Sequence, residues 1–402
     1  MAKTGDREHF QNYREQTQVK HDILAAYLPA YFHILKGRNK NILYIDGFAG
    51  RGTYTKADTG EIVDGSPLRA LKLIAGRTDF AEKVSTVFIE ADDILFLQLE
   101  KAVKAFFAEH NNIREPECIH GTFADKLGNI LEAVKGGLAP TFLFVDPCGV
   151  GGASFNKIRD VMNCEHCEAF IFFNIDGVRR IAGLDVISPI LIELMGSNER
   201  AQSLYNALRA TNDVPERERL ILTHYRNALN GISVKYTTAF RIEHEDRKST
   251  SHYLIHATKH PLGFCIMKDV MWRLGQTEDQ EFGLEFAQAS RTNFYPLFDF
   301  QGDEVKSQIL KALNNGPLLV AVFCKDWVCR PNDTLCEPAY KKALLELETA
   351  GKIQVLSKTN QKIIVPATAR PKKNGKATLA NDYFVQLRNE RCTPYANVQL
   401  LE

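Results

Sequence analysis

Strand-like segments alternate with helix-like segments through the first half of the chain, and this alternation restricts the fold more than any other feature. Four strands alternate with helices, and three of the strands are apolar on both faces. Such strands are typical of a parallel sheet with helices packed against each side. We expect VKYTTAFRIEHE and SHYLIHATKH to complete the sheet as an antiparallel hairpin.

A second, smaller domain is predicted in the C-terminal quarter. A chain of 402 residues suits one large and one small domain. We expect an α/β domain over 1–300, with a helical insertion at about 178–232. Residues 301–402 read as three helices and then a strand pair around a basic turn, which predicts a winged-helix-like domain.

The composition excludes several classes of protein. No apolar run approaches the roughly 18–20 residues that a membrane span needs, so we expect no membrane partner. Nine cysteines, scattered and odd in number, form no disulfide framework and favour the reducing cytoplasm. The net charge of +1 gives no overall field for a polyanion, so a nucleic-acid partner would need a local basic patch.

A glycine-rich loop directly follows the first buried strand. Small residues there let the backbone approach a ligand at the carboxyl edge of the sheet. The acid that opens the loop is placed to accept from the ammonium of an amino-acid moiety, and the absence of G-K-[ST] argues against a triphosphate loop. A plain tight turn is the alternative. The predicted cofactor positions are Asp46, Gly47, Phe48, Gly50 and Gly52.

Two further acids follow later strands. Glu90 ends the second strand, where it can accept from both ribose hydroxyls of an adenosine, or be a solvated strand-end acid. Asp125 follows the third strand and is a candidate adenine contact, or a cap of a helix starting near Lys126. We expect TYTKADTGEIVDG to be a loop inserted over the cofactor, with Ser66 capping the next helix before Pro67.

The fourth strand runs into an Asp-Pro-Cys-Gly loop beside the first strand, in a 3-2-1-4 order. A carboxylate and a free proline carbonyl can accept both protons of an exocyclic amine and orient its lone pair, a reaction that depends on positioning. Alternatives are a plain turn, or a Cys148 thiolate that attacks C6 of a pyrimidine. The predicted catalytic residues are Asp146, Pro147, Cys148 and Gly149.

These motifs, in this order, resemble the three-Cys-motif partner proteins, a family related to class I methyltransferases. The likeness rests on YIDGFAGRGTY, DGSPLRAL, VFIEAD, FLFVDPCG and YLIHATKHPLGFCIMKDVMW, and covers most of residues 15–300. It implies a Rossmann-like methyltransferase fold with S-adenosylmethionine as cofactor. Cys148 stands where the family usually has an aromatic residue, and the loss of a ring that could stack on a flipped base weakens the case for a base amine.

Other clusters have plainer interpretations. Cys164 and Cys167 have zinc-knuckle spacing but lack a second pair, so we predict no metal there. The same holds for Cys324, Cys329 and Cys336. We interpret His252, His256 and His260 as partly exposed residues of an edge strand, with a substrate cleft as the alternative for the first two. Asn174 either contacts substrate or satisfies backbone groups.

Three lysines flank an Asn-Gly turn in the small domain. Lys372, Lys373 and Lys376 have the composition of a wing that contacts phosphate, or of a solvated hairpin tip in a protein-binding domain.

Together these features predict an S-adenosylmethionine-dependent methyltransferase acting on an amino nitrogen of DNA or RNA. The alternatives are a cofactor-binding partner or regulatory protein without its own methyl transfer, a pyrimidine C5 methyltransferase using Cys148, and a protein or small-molecule methyltransferase.

Overall fold

The fold was analysed in a computed structural model. It describes residues 15–37, 41–56, 59–134, 137–244, 249–275, 285–286, 302–330, 335–359, 363–373 and 376–388. The chain divides into two compact units, Met1–Leu297 and Phe298–Glu402, which are described separately below. None of the helices in these ranges combines the length and apolar character of a membrane span.

Helices and strands alternate along the first unit. Its helices are α1 (Glu15–Lys36), α2 (Ser66–Ala75), α3 (Thr78–Ala81), α4 (Asp93–Glu109), α5 (Phe123–Ala133), α6 (Phe155–Asn163), α7 (Ile175–Ala182), α8 (Pro189–Met195), α9 (Asn198–Arg209), α10 (Val214–Asn230) and α11 (Pro261–Leu274). Its strands are β1 (Ile42–Asp46), β2 (Thr53–Thr55), β3 (Ile62–Asp64), β4 (Val84–Glu90), β5 (Glu117–His120), β6 (Thr141–Val145), β7 (Glu168–Asn174), β8 (Tyr236–Glu243), β9 (Thr250–Thr258) and β10 (Glu285–Phe286).

The main sheet has the order β10-β8-β9-β7-β6-β1-β4-β5. Strands β5, β4, β1, β6 and β7 are parallel, as predicted from the three strands that are apolar on both faces, and β5, β4, β1 and β6 follow the predicted 3-2-1-4 order. Strand β9 runs antiparallel to both β7 and β8, so the predicted hairpin does complete the sheet. This mixed α/β architecture is consistent with the predicted Rossmann-like methyltransferase fold.

Two details of the sequence prediction were wrong. Gly65, not Ser66, is the residue before α2, and Ser66 is buried in the first turn of that helix without making a side-chain cap. Strand β9 lies inside the sheet, so His256 is fully buried and not partly exposed at an edge. Burial is tolerated because its Nε2 lies 3.0 Å from a carboxylate oxygen of Glu168.

Helix α1 covers one face of the sheet with aromatic side chains. Tyr27 and Tyr31 pack against Phe142 of β6, with ring centroids 5.7 and 5.3 Å apart. Phe32 contacts Phe80 from the short helix α3. These rings are at most 4% exposed, so they form a dense part of the core.

A buried carboxylate, Glu168 at the start of β7, joins α1 to the sheet. It accepts hydrogen bonds from Tyr27 Oη at 2.6 Å and Thr258 Oγ1 at 2.7 Å, besides its contact with His256. Burial alone would raise the pKa of Glu168, but these partners outweigh it and hold the pKa below its usual value. Glu168 therefore remains an anion inside the core, compensated by hydrogen bonds.

The second unit contains helices α12 (Gly302–Leu313) and α13 (Glu337–Thr349), with a short π-helix, Val322–Trp327, between them. Strands β11 (Leu318–Leu319), β12 (Ile353–Leu356) and β15 (Phe384–Leu387) form a sheet in the order β11-β15-β12. A 3-10 turn (Ala367–Ala369) and a hairpin of β13 (Lys372–Lys373) and β14 (Lys376–Ala377) lie between β12 and β15. The winged-helix assignment stays a prediction.

Tyr27 and Tyr225 make a matched pair for testing the core. Tyr225 is buried, but its hydroxyl has no hydrogen-bond partner in the described chain. We expect Tyr27→Phe to destabilise the protein by about 1.5–3 kcal/mol, because it removes a hydrogen bond to a charged group. Tyr225→Phe is expected to be neutral or slightly stabilising. Thermal unfolding of the two variants of the full chain tests this, and equal midpoints would contradict the role given to Glu168.

Candidate functional site

Three acidic residues lie at the same edge of the main sheet. Asp46 ends β1 and Glu90 ends β4, while Asp146 directly follows β6. The strands are parallel and in close register, with Asp46 opposite Phe88 on one side and Phe144 on the other. Their carboxyl ends therefore meet, as expected for ligand sites in open α/β sheets.

The glycine-rich loop is hydrogen-bonded to both neighbouring strands. The Gly47 amide donates to the Phe144 carbonyl of β6, and the Ala49 amide donates to the Ile89 carbonyl of β4, both at 2.9 Å. Gly50 and Gly52 have φ values of +63° and +82°. Residues with side chains rarely adopt this backbone conformation, so the loop requires glycine at both positions.

Gly47 permits a close approach of α5. A Cβ atom at this position would lie 2.5 Å from Cδ2 of Phe123, the first residue of that helix. The Phe123 ring stacks on Phe48 with centroids 5.2 Å apart. The predicted loop residue Phe48 thus forms an aromatic pair beside the loop.

Asp46 is completely buried, and its two oxygens differ. Oδ1 accepts from the Phe48 amide at 3.2 Å, whereas Oδ2 has no hydrogen-bond partner among the described residues. Burial raises the pKa of Asp46 to about 7, against the opposing effects of the Ser66 hydroxyl and the Phe48 amide. An orphaned carboxylate oxygen of this kind fits a ligand ammonium group.

Glu90 is bound to backbone amides. Oε2 accepts from Gly50 at 2.8 Å, and Oε1 accepts from Ala91 and Asp92, each at 2.9 Å. The side chain therefore connects the glycine-rich loop with the turn that precedes α4. Each carboxylate oxygen has two lone pairs, so Oε1 is fully engaged and Oε2 can accept from one bound hydroxyl.

Asp125 is exposed in the first turn of α5, and it is not the cap of a helix starting near Lys126. The helix begins at Phe123, and its cap is Thr122, whose Oγ1 accepts from the Asp125 amide at 3.3 Å. The Thr122 hydroxyl in turn donates to Asp125 Oδ2 at 2.7 Å. This reciprocal arrangement explains the position of Asp125 without a ligand.

Asp146 forms a largely buried ion pair with Lys20 of α1. The Lys20 ammonium donates to Oδ2, and the two side chains are 6% and 13% exposed. No other hydrogen bond to the Asp146 carboxylate occurs among the described residues, so Oδ1 retains its acceptor capacity. The ammonium also lies 4.5 Å from the centroid of the Phe172 ring.

The rest of the Asp-Pro-Cys-Gly loop differs from the prediction in one respect. The Pro147 carbonyl is not free, because it accepts from the Gly149 amide at 2.9 Å. Gly149 has a φ of +129°, which closes this tight turn. Cys148 is exposed at its tip, as its predicted position in a substrate site requires, and its nucleophilic role stays a prediction.

The sequence analysis missed Lys20 and Tyr54. Burial raises the pKa of the Tyr54 phenol, and electrostatic interactions with Asp146, Cys148, Asp46 and Glu90 raise it further. The Tyr54 hydroxyl lies beside the glycine-rich loop, where a Cβ atom added to Gly50 would be 3.4 Å away from it. Tyr54 lies on β2, which pairs with β3 in the inserted segment. A signal for Lys20 was present, because it lies four residues before Leu24 and seven before Tyr27, on the buried stripe of an amphipathic helix.

The remaining predicted residues either make structural contacts or have side chains that are not among those described. Asn174 Oδ1 accepts from the Gly177 amide at 2.8 Å and caps α7, and the His260 side chain caps α11. The His252 ring stacks on Phe172, with centroids 4.1 Å apart. Lys372 is exposed on β13, while the side chains of Lys373 and Lys376 are not among those described.

No group of three His, Cys, Asp or Glu side chains in the described ranges is arranged to hold a metal ion. The eight cysteines in these ranges form no disulfide with one another.

No family model and no curated protein sequence matches the chain. Among solved structures, protein LPL1258 from Legionella pneumophila is 12% identical over 64% of this chain and 88% of its own, with a TM-score of 0.37. The O-methyltransferase of Bacillus cereus, in complex with SAH, is 13% identical over 64% and 93%, with a TM-score of 0.30. The O-methyltransferase TomG of Streptomyces achromogenes, in complex with SAM, is 12% identical over 65% and 92%, with a TM-score of 0.32. Similarity at this level carries no functional conclusion.

The raised pKa of Asp46 predicts that the binding of a ligand ammonium group depends on pH. Because the pKa of Asp46 is about 7, this carboxyl group is protonated in acidic solution. It must lose that proton before it can pair with an ammonium group. We expect the affinity for S-adenosylhomocysteine to fall by about 20-fold between pH 7.5 and 5.5. Isothermal titration calorimetry in buffers of different ionisation enthalpy measures both the affinity and the released proton.

Asp46→Asn should bind more weakly at neutral pH and lose this pH dependence. Asp79→Asn, a change on α3 away from the sheet edge, should retain the wild-type pH profile. A pH-independent affinity in the wild-type protein would show that Asp46 does not contact the ammonium.

Proposed function

We propose that the chain is an S-adenosylmethionine-dependent methyltransferase that acts on an amino nitrogen, with Asp146 as the acceptor-binding residue. The observation that carries this proposal is the convergence of Asp46, Glu90 and Asp146 at the carboxyl edge of the main sheet, beside a loop that requires glycine. One acid suits an ammonium, one suits a hydroxyl group, and one is paired with a lysine.

The residues of the first unit fit the cofactor. In our proposal, Asp46 Oδ2 accepts from the amino-acid ammonium, and Glu90 Oε2 accepts from one ribose hydroxyl. Gly50 and Gly52 let the backbone approach the ligand closely. When bound, the cofactor supplies a methyl group on a sulfonium, which the acceptor nitrogen attacks as the carbon–sulfur bond breaks.

Asp146 orients the acceptor and receives its proton. Oδ1 accepts a hydrogen bond from the acceptor amine and then takes the proton that the nitrogen loses. The Pro147 carbonyl already accepts from Gly149, so Asp146 is the main acceptor for the amine. The other residues of the site act by holding the two reactants in line, because an in-line displacement needs little covalent assistance from the protein.

The motif resemblance supports membership of the three-Cys-motif partner proteins, which we also propose. We further propose a nucleic-acid acceptor, supported by the lysines of the β13–β14 hairpin, with Lys372 exposed. We also propose a cytoplasmic protein, which is supported by eight described cysteines without a disulfide between them.

Transfer of labelled methyl groups tests this function. Wild-type protein with methyl-tritiated S-adenosylmethionine should label one of three fractions: total RNA, sheared genomic DNA or lysate protein. An RNA or DNA label agrees with our proposal. Asp146→Asn should reduce labelling by about 100-fold or more, because it removes the charge that receives the proton, and leave S-adenosylhomocysteine affinity unchanged.

Asp160→Asn on α6 is the matched control and should label at the wild-type rate. Full activity of Asp146→Asn would remove this residue from the mechanism. Cofactor binding without labelling of any fraction would instead indicate the partner or regulatory protein that lacks its own methyl transfer.

A further inference from the structure

Lys20 is a buried cation at the candidate acceptor site. Only 5% of the residue is exposed, although it lies in the second turn of α1. Removing an ammonium from water costs several kcal/mol unless charge and hydrogen bonds compensate it. Here the compensation comes from Asp146 Oδ2 and from the face of the Phe172 ring.

The other ion pairs of α1 are different in character. Lys36 pairs with Asp79, with side chains 23% and 37% exposed, and Asp22 pairs with Arg69 at 40% and 25%. Such solvent-exposed ion pairs contribute little to the stability of the fold. A hydrophobic residue would satisfy the packing at position 20 at least as well as a lysine, so packing alone does not explain the cation.

We infer that Lys20 is a positioning residue, which anchors Asp146 Oδ2 so that Oδ1 is presented to the acceptor amine. This inference rests on the proposed methyl transfer. With Oδ2 held, the carboxylate has one orientation and only one oxygen left for the acceptor. Without Lys20, the carboxylate would rotate freely and lose its compensating charge.

The charges around the site make this anchoring necessary. The Asp146 carboxylate acts on both Asp46 and Tyr54, while the Lys20 cation opposes its effect on Asp46. Two acids at neighbouring strand ends repel each other in a poorly solvated site. Lys20 therefore supplies the opposite charge that offsets the repulsion between Asp146 and the cofactor-binding acid.

Lys20→Met tests this role, because methionine preserves most of the side-chain volume and removes the charge. We expect kcat for labelling of the wild-type acceptor fraction to fall by about 10- to 100-fold. Affinity for S-adenosylhomocysteine, measured at about pH 8.5, well above the pKa of Asp46, should stay within about twofold, which also confirms folding. Lys36→Met, which removes an ion pair at the other end of α1, should keep the wild-type kcat.

Chemical rescue separates positioning from a merely structural role. In Lys20→Ala, added propylammonium should restore part of kcat by replacing the missing cation, whereas propan-1-ol, its neutral counterpart, should not. Unchanged kcat in Lys20→Met would overturn the inference and leave the proposed function standing. Equal rescue by both additives would also overturn it. Cofactor binding without labelling by the wild-type protein would overturn the proposed function, and this inference with it.

Discussion

The convergence of three carboxylates at one sheet edge is the constraint on which the rest of the site depends. Parallel strands bring Asp46, Glu90 and Asp146 together, and like charges in a poorly solvated place repel each other. The three acids lie in different environments. Asp46 has a pKa near 7, Glu90 is surrounded by amides, and Asp146 is paired with Lys20. These differences support the three separate roles that we propose for the acids.

Another buried carboxylate lies in the core of the first unit, at the amino end of β7. Glu168 is buried like the acids of the site, but its hydrogen-bond donors keep it anionic. No ligand is needed to satisfy it. Asp46, in contrast, has one oxygen without a partner among the described residues. That contrast distinguishes a structural acid from a candidate ligand-binding acid, and burial alone does not, because both residues are buried.

Much of the site was predictable because its residues are close to strand ends in the sequence. The glycine-rich loop, Glu90 and Asp146 each follow an apolar strand, and apolar strands that alternate with helices predict a parallel sheet. Parallel strands then place those residues at one edge. Two predictions were wrong because the local sequence allowed two arrangements. Thr122, and not Asp125, caps α5. The Pro147 carbonyl accepts a hydrogen bond from Gly149 of its own turn.

The sequence by itself determined the sheet, its order and the acids at its edge, because hydrophobic periodicity and strand-end motifs are local signals. Only the tertiary structure decided which side chains complete the site. Lys20 is 126 residues from Asp146 and reaches it from a helix packed on the sheet. Tyr54 enters from an inserted hairpin. No local pattern encodes such contacts, since they depend on how whole elements pack, and packing also decides which buried charges find partners.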